Sequence, residues 1–234
     1  MTGTFPRCCW AVIAAAGSGS RLADAGLDRP KQFLTLGGVP LYWHSARVFG
    51  RVAAVRGIVF VFPQGLREES EEELRRLAGS ERFPLPWRVA TGGEERQDSV
   101  RNALAVLPDD CDAVLVHDAA RPFMTAALAS RVLRALQTGR EAVIPGLPLV
   151  DTIKEVDGAE TVRATRDRQA LRAVQTPQGF SRAKLAKAHE AAKAQGLAVT
   201  DDAALMESAG VPVLVVPGDA ANRKITAAAD LALL

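Results

Sequence analysis

Five short apolar runs limit what this chain can become: "CWAVIAA" at 9–15, "GIVFVF" at 57–62, "DAVLVH" at 112–117, "EAVIP" at 141–145 and "VPVLVV" at 211–216. Each is continuous rather than alternating, and each is too short for a core helix. Such runs read as strands covered on both faces. The stretches 40–50, 65–79, 97–107, 125–139, 181–195 and 201–209 carry helical patterns between them. Strand alternating with helix predicts an α/β fold, with a mostly parallel sheet, helices on both faces and right-handed crossovers. No run approaches the ~18 residues of a membrane span. The opening "MTGTFPRCCWAVI" lacks a signal-peptide cleavage pattern and reads as a first strand.

One stretch breaks the rhythm. Residues 147–180 hold no convincing helix, while "DTIKEV" and "TVRATR" read as two strands about an Asp157-Gly158 turn. We expect a single domain over 1–234, with 147–180 as an inserted β-hairpin arm. That arm carries Arg163, Arg166, Arg168 and Arg172 and few apolar residues. A symmetric second copy is the surface expected to cover it. Net charge is only +2, so no global field draws nucleic acid or an acidic membrane. Cys8, Cys9 and Cys111 show no disulfide or metal-ligand spacing and read as reduced thiols of a cytoplasmic protein.

The chemistry concentrates in a few places. "AAAGSGSRL" follows the first strand, and Ala15, Ala16, Gly17, Ser18 and Gly19 would present backbone N–H groups as an anion cradle. It matches neither a dinucleotide fingerprint, since Leu22 replaces the third glycine, nor a P-loop. Arg21 and Lys31 add two cations suited to a triphosphate, although an ordinary strand–helix turn with solvated basic residues would look the same. Asp118 in "VLVHDAARPF" falls at the carboxyl edge of the sheet, as a Mg²⁺ ligand or a helix cap, with Arg121 close behind. Gly92, Gly93 and Ser99 in "TGGEERQDSV" would read a base edge, or form a turn capped through Asp98. Lys224 follows the last strand in "NRKIT". His44, His117 and His189 share no metal or triad spacing; His117 is expected to orient the Asp118 turn. A phosphate nucleophile is already an anion, so such a site needs positive charge and alignment more than a base.

Taken in order, "AAAGSGSRL", "PKQF", "GGEERQDSV", "HDAARPF", "DTIK", "QTPQGF", "TDDAALME" and "NRKIT" resemble the 2-C-methyl-D-erythritol 4-phosphate cytidylyltransferases of the non-mevalonate isoprenoid pathway. The resemblance implies a Rossmann-like nucleotidyltransferase fold dimerising through its β-arm. It implies a reaction that joins CTP to the phosphorylated sugar alcohol with Mg²⁺ and releases pyrophosphate. It makes Arg21 and Lys31 stabilisers of the α-phosphorus and gives CTP to the glycine loop, Gly93 and Ser99. It gives the metal and substrate to Asp118 and the substrate to Arg121, Thr152, Arg168, Thr176, Thr200 and Lys224, the arm residues entering from the partner. Ala221 stands where the family often has an acidic residue, with Asp219 open as a substitute, and Arg223 stands where it commonly has an apolar one. A ribitol 5-phosphate cytidylyltransferase shares these motifs, a sugar nucleotidyltransferase with another NTP fits the backbone amides, and an inactive nucleotide-binding scaffold is the reading from another class.

Overall fold

A computed structural model describes residues 6–17, 33–226 and 228–233. Arg21, Lys31, Ser18, Gly19 and Leu22 lie outside the described residues. In chain order the strands are β1 (Cys9–Ala14), β2 (Thr35–Leu36), β3 (Val39–Pro40), β4 (Val55–Phe62), β5 (Trp87–Thr91), β6 (Ala113–Asp118), β7 (Ala142–Pro148), β8 (Ile153–Val156), β9 (Val162–Arg166), β10 (Arg172–Val174), β11 (Gln178–Ser181) and β12 (Val213–Pro217). The α-helices among the described residues are α1 (Leu41–Phe49), α2 (Arg67–Ser80), α3 (Arg96–Ala105), α4 (Ala126–Gln137), α5 (Arg182–Gln195) and α6 (Asp202–Ser208).

The main sheet runs β10-β7-β11-β6-β1-β4-β5, with β12 on the other edge of β7. β1, β4, β5 and β6 pair in parallel, and so do β7 and β12. Only β11 and its extension β10 run against them. Alternation along β1 divides the core. Cys9, Ala11 and Ile13 face a layer holding α1, α2 and α4, with Tyr42, Trp43, Leu74, Leu128 and Leu136 buried there. Trp10 and Val12 face the layer of α3, α5 and α6, with Val100, Ala103, Leu185, Leu205 and Met206. Both faces are thus dry, which is why the strands read as unbroken apolar runs.

Local chemistry sets the helix ends. Thr125 caps α4 by accepting the Leu128 N–H at 3.2 Å, and Asp201 caps α6 by accepting that of Ala204 at 3.0 Å. At α3 the cap position is Glu95, and Asp98 reaches back to accept the Glu95 N–H at 3.2 Å. Gly196 ends α5 at φ 62°, a left-handed position that favours glycine.

β8 and β9 form the expected antiparallel hairpin. Its turn works through a carboxylate: Asp157 accepts the N–H groups of Ala159 and Thr161 at 2.9 and 3.0 Å. The left-handed residue is Glu160 at φ 57°, not Gly158. The arm is also shorter than 147–180. β7 continues to Pro148, and Gln178–Ser181 returns to the main sheet as β11. Phe180 is fully buried between β6 and β7, and that burial draws the segment into the core.

Candidate active site

β1 and β6 are neighbours, and their register sets Ala14 beside Asp118. The glycine loop therefore leaves the sheet next to the carboxylate that ends β6. Ala15 is buried and holds the loop's first turn by donating its N–H to the Val61 carbonyl at 3.0 Å. Gly17 is exposed. The turn after β5 packs onto this loop. A Cβ on Gly92 would stand 2.4 Å from the Ala16 Cβ, and one on Gly93 would stand 2.3 Å from the Asp98 Cβ. Only glycine allows these approaches. Ser99 is buried beneath them, accepting the Gly93 N–H at 3.1 Å and donating to the Glu95 carbonyl at 3.3 Å. Its hydroxyl orders the turn.

Asp118 sits among cations. Its Oδ2 meets Lys224 Nζ at 2.7 Å, and its Oδ1 lies 3.4 Å from Arg96 Nε. Burial alone would raise its pKa, but Arg96 and Lys224 together hold it well below the ordinary carboxylate range. The Ile225 N–H donates to the Ala120 carbonyl at 2.8 Å, which fastens the C-terminal loop to the Asp118 turn and brings Lys224 into reach.

Behind the carboxylate runs a chain of hydrogen bonds. His117 is fully buried, and burial pulls its pKa down to about 4, against the charge of Asp118. The neutral ring donates from Nε2 to the Arg121 carbonyl at 3.2 Å, which leaves Nδ1 to accept from the Thr176 hydroxyl at 3.0 Å. Thr176 Oγ1 then accepts the Asp118 N–H at 3.0 Å. His117 does orient the Asp118 turn, and it does so through Thr176. Asn222 donates to the Thr176 carbonyl at 2.7 Å. Arg121 donates to the carbonyls of Asn222 at 2.9 Å and Val174 at 3.5 Å.

Asp118, Arg121, Thr176 and Lys224, which lie far apart in sequence, thus meet at one edge of the sheet. Thr200 precedes the cap of α6 and is exposed. Thr152 and Arg168 lie on the arm, and no hydrogen bond joins either to Asp118 or Lys224. The Arg168 guanidinium donates to the Val150 carbonyl. Asp219 does not take the place of the acid absent at Ala221. Its carboxylate accepts from Thr125 Oγ1 at 3.1 Å and the Ala221 N–H at 2.9 Å, and so serves the start of α4. Arg223 pairs outward with Asp230 at 3.6 Å.

Two residues of the site went unread in the sequence. Arg96 reaches Asp202 Oδ2 through Nη1 at 2.7 Å as well as Asp118. Asp202 is fully buried, and its other oxygen lies 3.4 Å from His189 Nε2. Arg96 stands inside the quoted "GGEERQDSV", which was the available signal. As for a metal, the described residues contain no cluster of three or more His, Cys, Asp or Glu able to hold one. Asp118 offers a single carboxylate, at the register position beside Ala14 where the chain leaves β1. That donor set fits a hard cation that draws its remaining oxygens from phosphates.

A model of the family described as "IspD: 2-C-methyl-D-erythritol 4-phosphate cytidylyltransferase" matches residues 9–234. The chain is 54% identical over 226 residues to a "Bifunctional enzyme IspD/IspF" of Nitratidesulfovibrio vulgaris, covering 96% of this chain and 57% of that one. It spans a little over half the length of several such relatives. A "2-C-methyl-D-erythritol 4-phosphate cytidylyltransferase" of Streptomyces avermitilis is 43% identical, covering 95% of this chain and 88% of the relative. The crystal structure of the Thermus thermophilus protein of that name superposes with a TM-score of 0.75 at 35% identity, covering 95% of each chain. The synthase structure from Anaerococcus prevotii gives 0.83 at 28% identity, covering 97% of this chain and 96% of that one. With a glycine loop set beside a cation-bound aspartate, and with matches that run the length of the sheet, the chain belongs to the 2-C-methyl-D-erythritol 4-phosphate cytidylyltransferase family.

Proposed function

We propose that this protein joins CTP to 2-C-methyl-D-erythritol 4-phosphate, giving 4-diphosphocytidyl-2-C-methyl-D-erythritol and pyrophosphate. The observation that carries the reading is the Asp118–Lys224 pair, 2.7 Å apart, at the mouth of the glycine loop. A phosphate oxygen of the sugar alcohol forms a bond to the α-phosphorus of CTP. The bond from that phosphorus to the β-phosphate oxygen breaks, and pyrophosphate leaves with the electron pair. No side chain has to remove a proton, in keeping with the neutral buried His117.

Each residue then has a task. The backbone N–H groups from Ala16 to Gly19 cradle phosphate, whereas that of Ala15 is taken by Val61 and anchors the loop; Gly92 and Gly93 let the turn after β5 close onto Ala16 and Asp98 and so shape the nucleotide side of the pocket. Arg21 and Lys31 stabilise charge at the α-phosphorus. Lys224 exchanges Asp118 for the phosphate of the sugar alcohol, while Thr176 and Arg121 brace the turn below. Asp118 would hold Mg²⁺, which supplies neutralisation of the charge on the departing pyrophosphate. Arg168, Thr152 and Thr200 complete the sugar-phosphate pocket.

The arm serves a homodimer in this reading. Of the large apolar side chains exposed among the described residues, Val150, Val156, Val162 and Val174 lie on the arm and the strand returning from it. Such a surface fits a second copy better than water. No helix among the described residues is long and apolar enough to cross a membrane. Three buried free cysteines support a reducing, cytoplasmic setting.

The test is pyrophosphate release with CTP, Mg²⁺ and methylerythritol phosphate, run against the other NTPs and against ribitol 5-phosphate. Release is expected with the first combination above all others. Asp118→Asn keeps the shape but not the charge, and its turnover should fall by at least ~10²-fold. A preference for ribitol 5-phosphate, or wild-type turnover by Asp118→Asn, would overturn the assignment.

A further inference from the structure

We propose that Arg96, clamped by the buried Asp202, is a positioning residue that keeps the Asp118 carboxylate aimed while Lys224 is engaged by substrate. This role rests on the cytidylyl-transfer reading above.

Four charges meet here: Asp118 and Asp202, Arg96 and Lys224. They come from the ends of β6, α6 and α3 and from the C-terminal loop. They balance while Lys224 sits on Asp118. When Lys224 turns to a substrate phosphate, Asp118 is left mostly buried, at 14% side-chain exposure, with Arg96 as its remaining ion-pair partner among the described residues and Arg121 acting on it from farther off. An unpaired carboxylate at that depth would be costly. Arg96 prevents that state.

The distances assign Arg96 its owner. Its contact with Asp202 is short, at 2.7 Å, and its contact with Asp118 is long, at 3.4 Å. Asp202 therefore fixes the guanidinium, and the guanidinium steers Asp118 without occupying it. A short bond on each oxygen would leave Asp118 fewer lone pairs to offer a ligand. His189, itself buried, backs the far oxygen of Asp202 at 3.4 Å.

Fold stability does not explain the arrangement. A buried ion pair is weak evidence of stability, because a well-packed apolar pair often does as well. Arg96 is also the first residue of α3, where a positive charge opposes the helix dipole. The sequence tolerates that placement where the arginine can span two carboxylates.

The experiment is a mutant cycle read by steady-state kinetics and thermal unfolding. The pair Arg96→Gln with Asp202→Asn removes both charges without stranding either one. Its kcat should fall by ~10–100-fold, the range for residues that orient an active group through another, while KM for CTP changes little. Arg96→Lys, which keeps a charge but cannot span both partners, should recover part of the loss. In the Asp118→Asn background the paired change should cost less than about twofold more, since its target is gone. Asp202→Asn alone is measured the same way and keeps the test valid if the pair is too unstable. Wild-type kcat in the paired variant, or a loss that multiplies unchanged onto Asp118→Asn, overturns the role. Absence of turnover in the wild-type protein would overturn the cytidylyl-transfer reading itself, and this role with it.

Discussion

Asp118 and Arg96 show how unevenly a site is written in a sequence. Asp118 ends an apolar run, and the carboxyl edge of a parallel sheet is where such folds bind ligands. Arg96 lies between Glu95 and Gln97 at the head of a polar helix, which reads as a solvated surface. Its partner Asp202 is 106 residues away, and no local pattern announces that distance. Asp202 carries a pH consequence. Burial would raise its pKa, but Arg96 and His189 more than reverse this, so the folded value is lowered. The folded protein then holds this proton less tightly than the unfolded chain. The stability Asp202 contributes is complete above the unfolded carboxylate value of ~3.9 and is lost as pH falls through the folded value. Urea unfolding followed from pH 6 to pH 2 should therefore show an acid limb that Asp202→Asn flattens. An identical limb in the variant would assign the loss to other carboxylates.

At the scale of elements, Gly57 in β4 pairs with Trp10 of β1, and a Cβ there would stand 2.5 Å from the indole ring. The ring is also pinned from above, with the Arg88 guanidinium 5.5 Å from its centre. Gly57→Ala should cost ~1–3 kcal/mol by overpacking, and Gly57→Ala with Trp10→Leu should regain much of it. Chemical denaturation of the three proteins checks this. Elements of this kind were legible because both sides of the sheet demand apolar residues, and the runs at 9–15, 57–62, 112–117, 141–145 and 211–216 each became a strand. β11 was not legible. "QGFS" offers one large apolar residue, and Gly179 is there because a Cβ would meet Val132 of α4 at 2.6 Å. A strand chosen for how closely a helix packs on it carries no strand-like signature, which is why the arm was read as reaching 180.

For the molecule as a whole, the arm predicts a shared site. Arg21→Ala and Arg168→Ala, each expected to be inactive alone, are mixed under conditions that exchange subunits. If Arg168 serves the partner's site, both lesions of a mixed dimer fall in one site and the other is intact. Random exchange makes about half of the dimers mixed, so roughly a quarter of wild-type activity should return. Background activity after confirmed exchange would place Arg168 in its own subunit's site. The strand order has another consequence, for synthesis. β1 is near the first residues of the chain yet lies inside the sheet, between β4 and β6. On a ribosome it waits for its second neighbour until residue 118 has emerged, and Asp118 then waits another 106 residues for Lys224. At ordinary elongation speed that second interval is about 5–20 s. A nascent chain can thus hold most of its parallel sheet while Asp118 still lacks Lys224, its 2.7 Å partner. Translation halted after β12 but before residue 224 would leave the sheet complete and the site without Lys224.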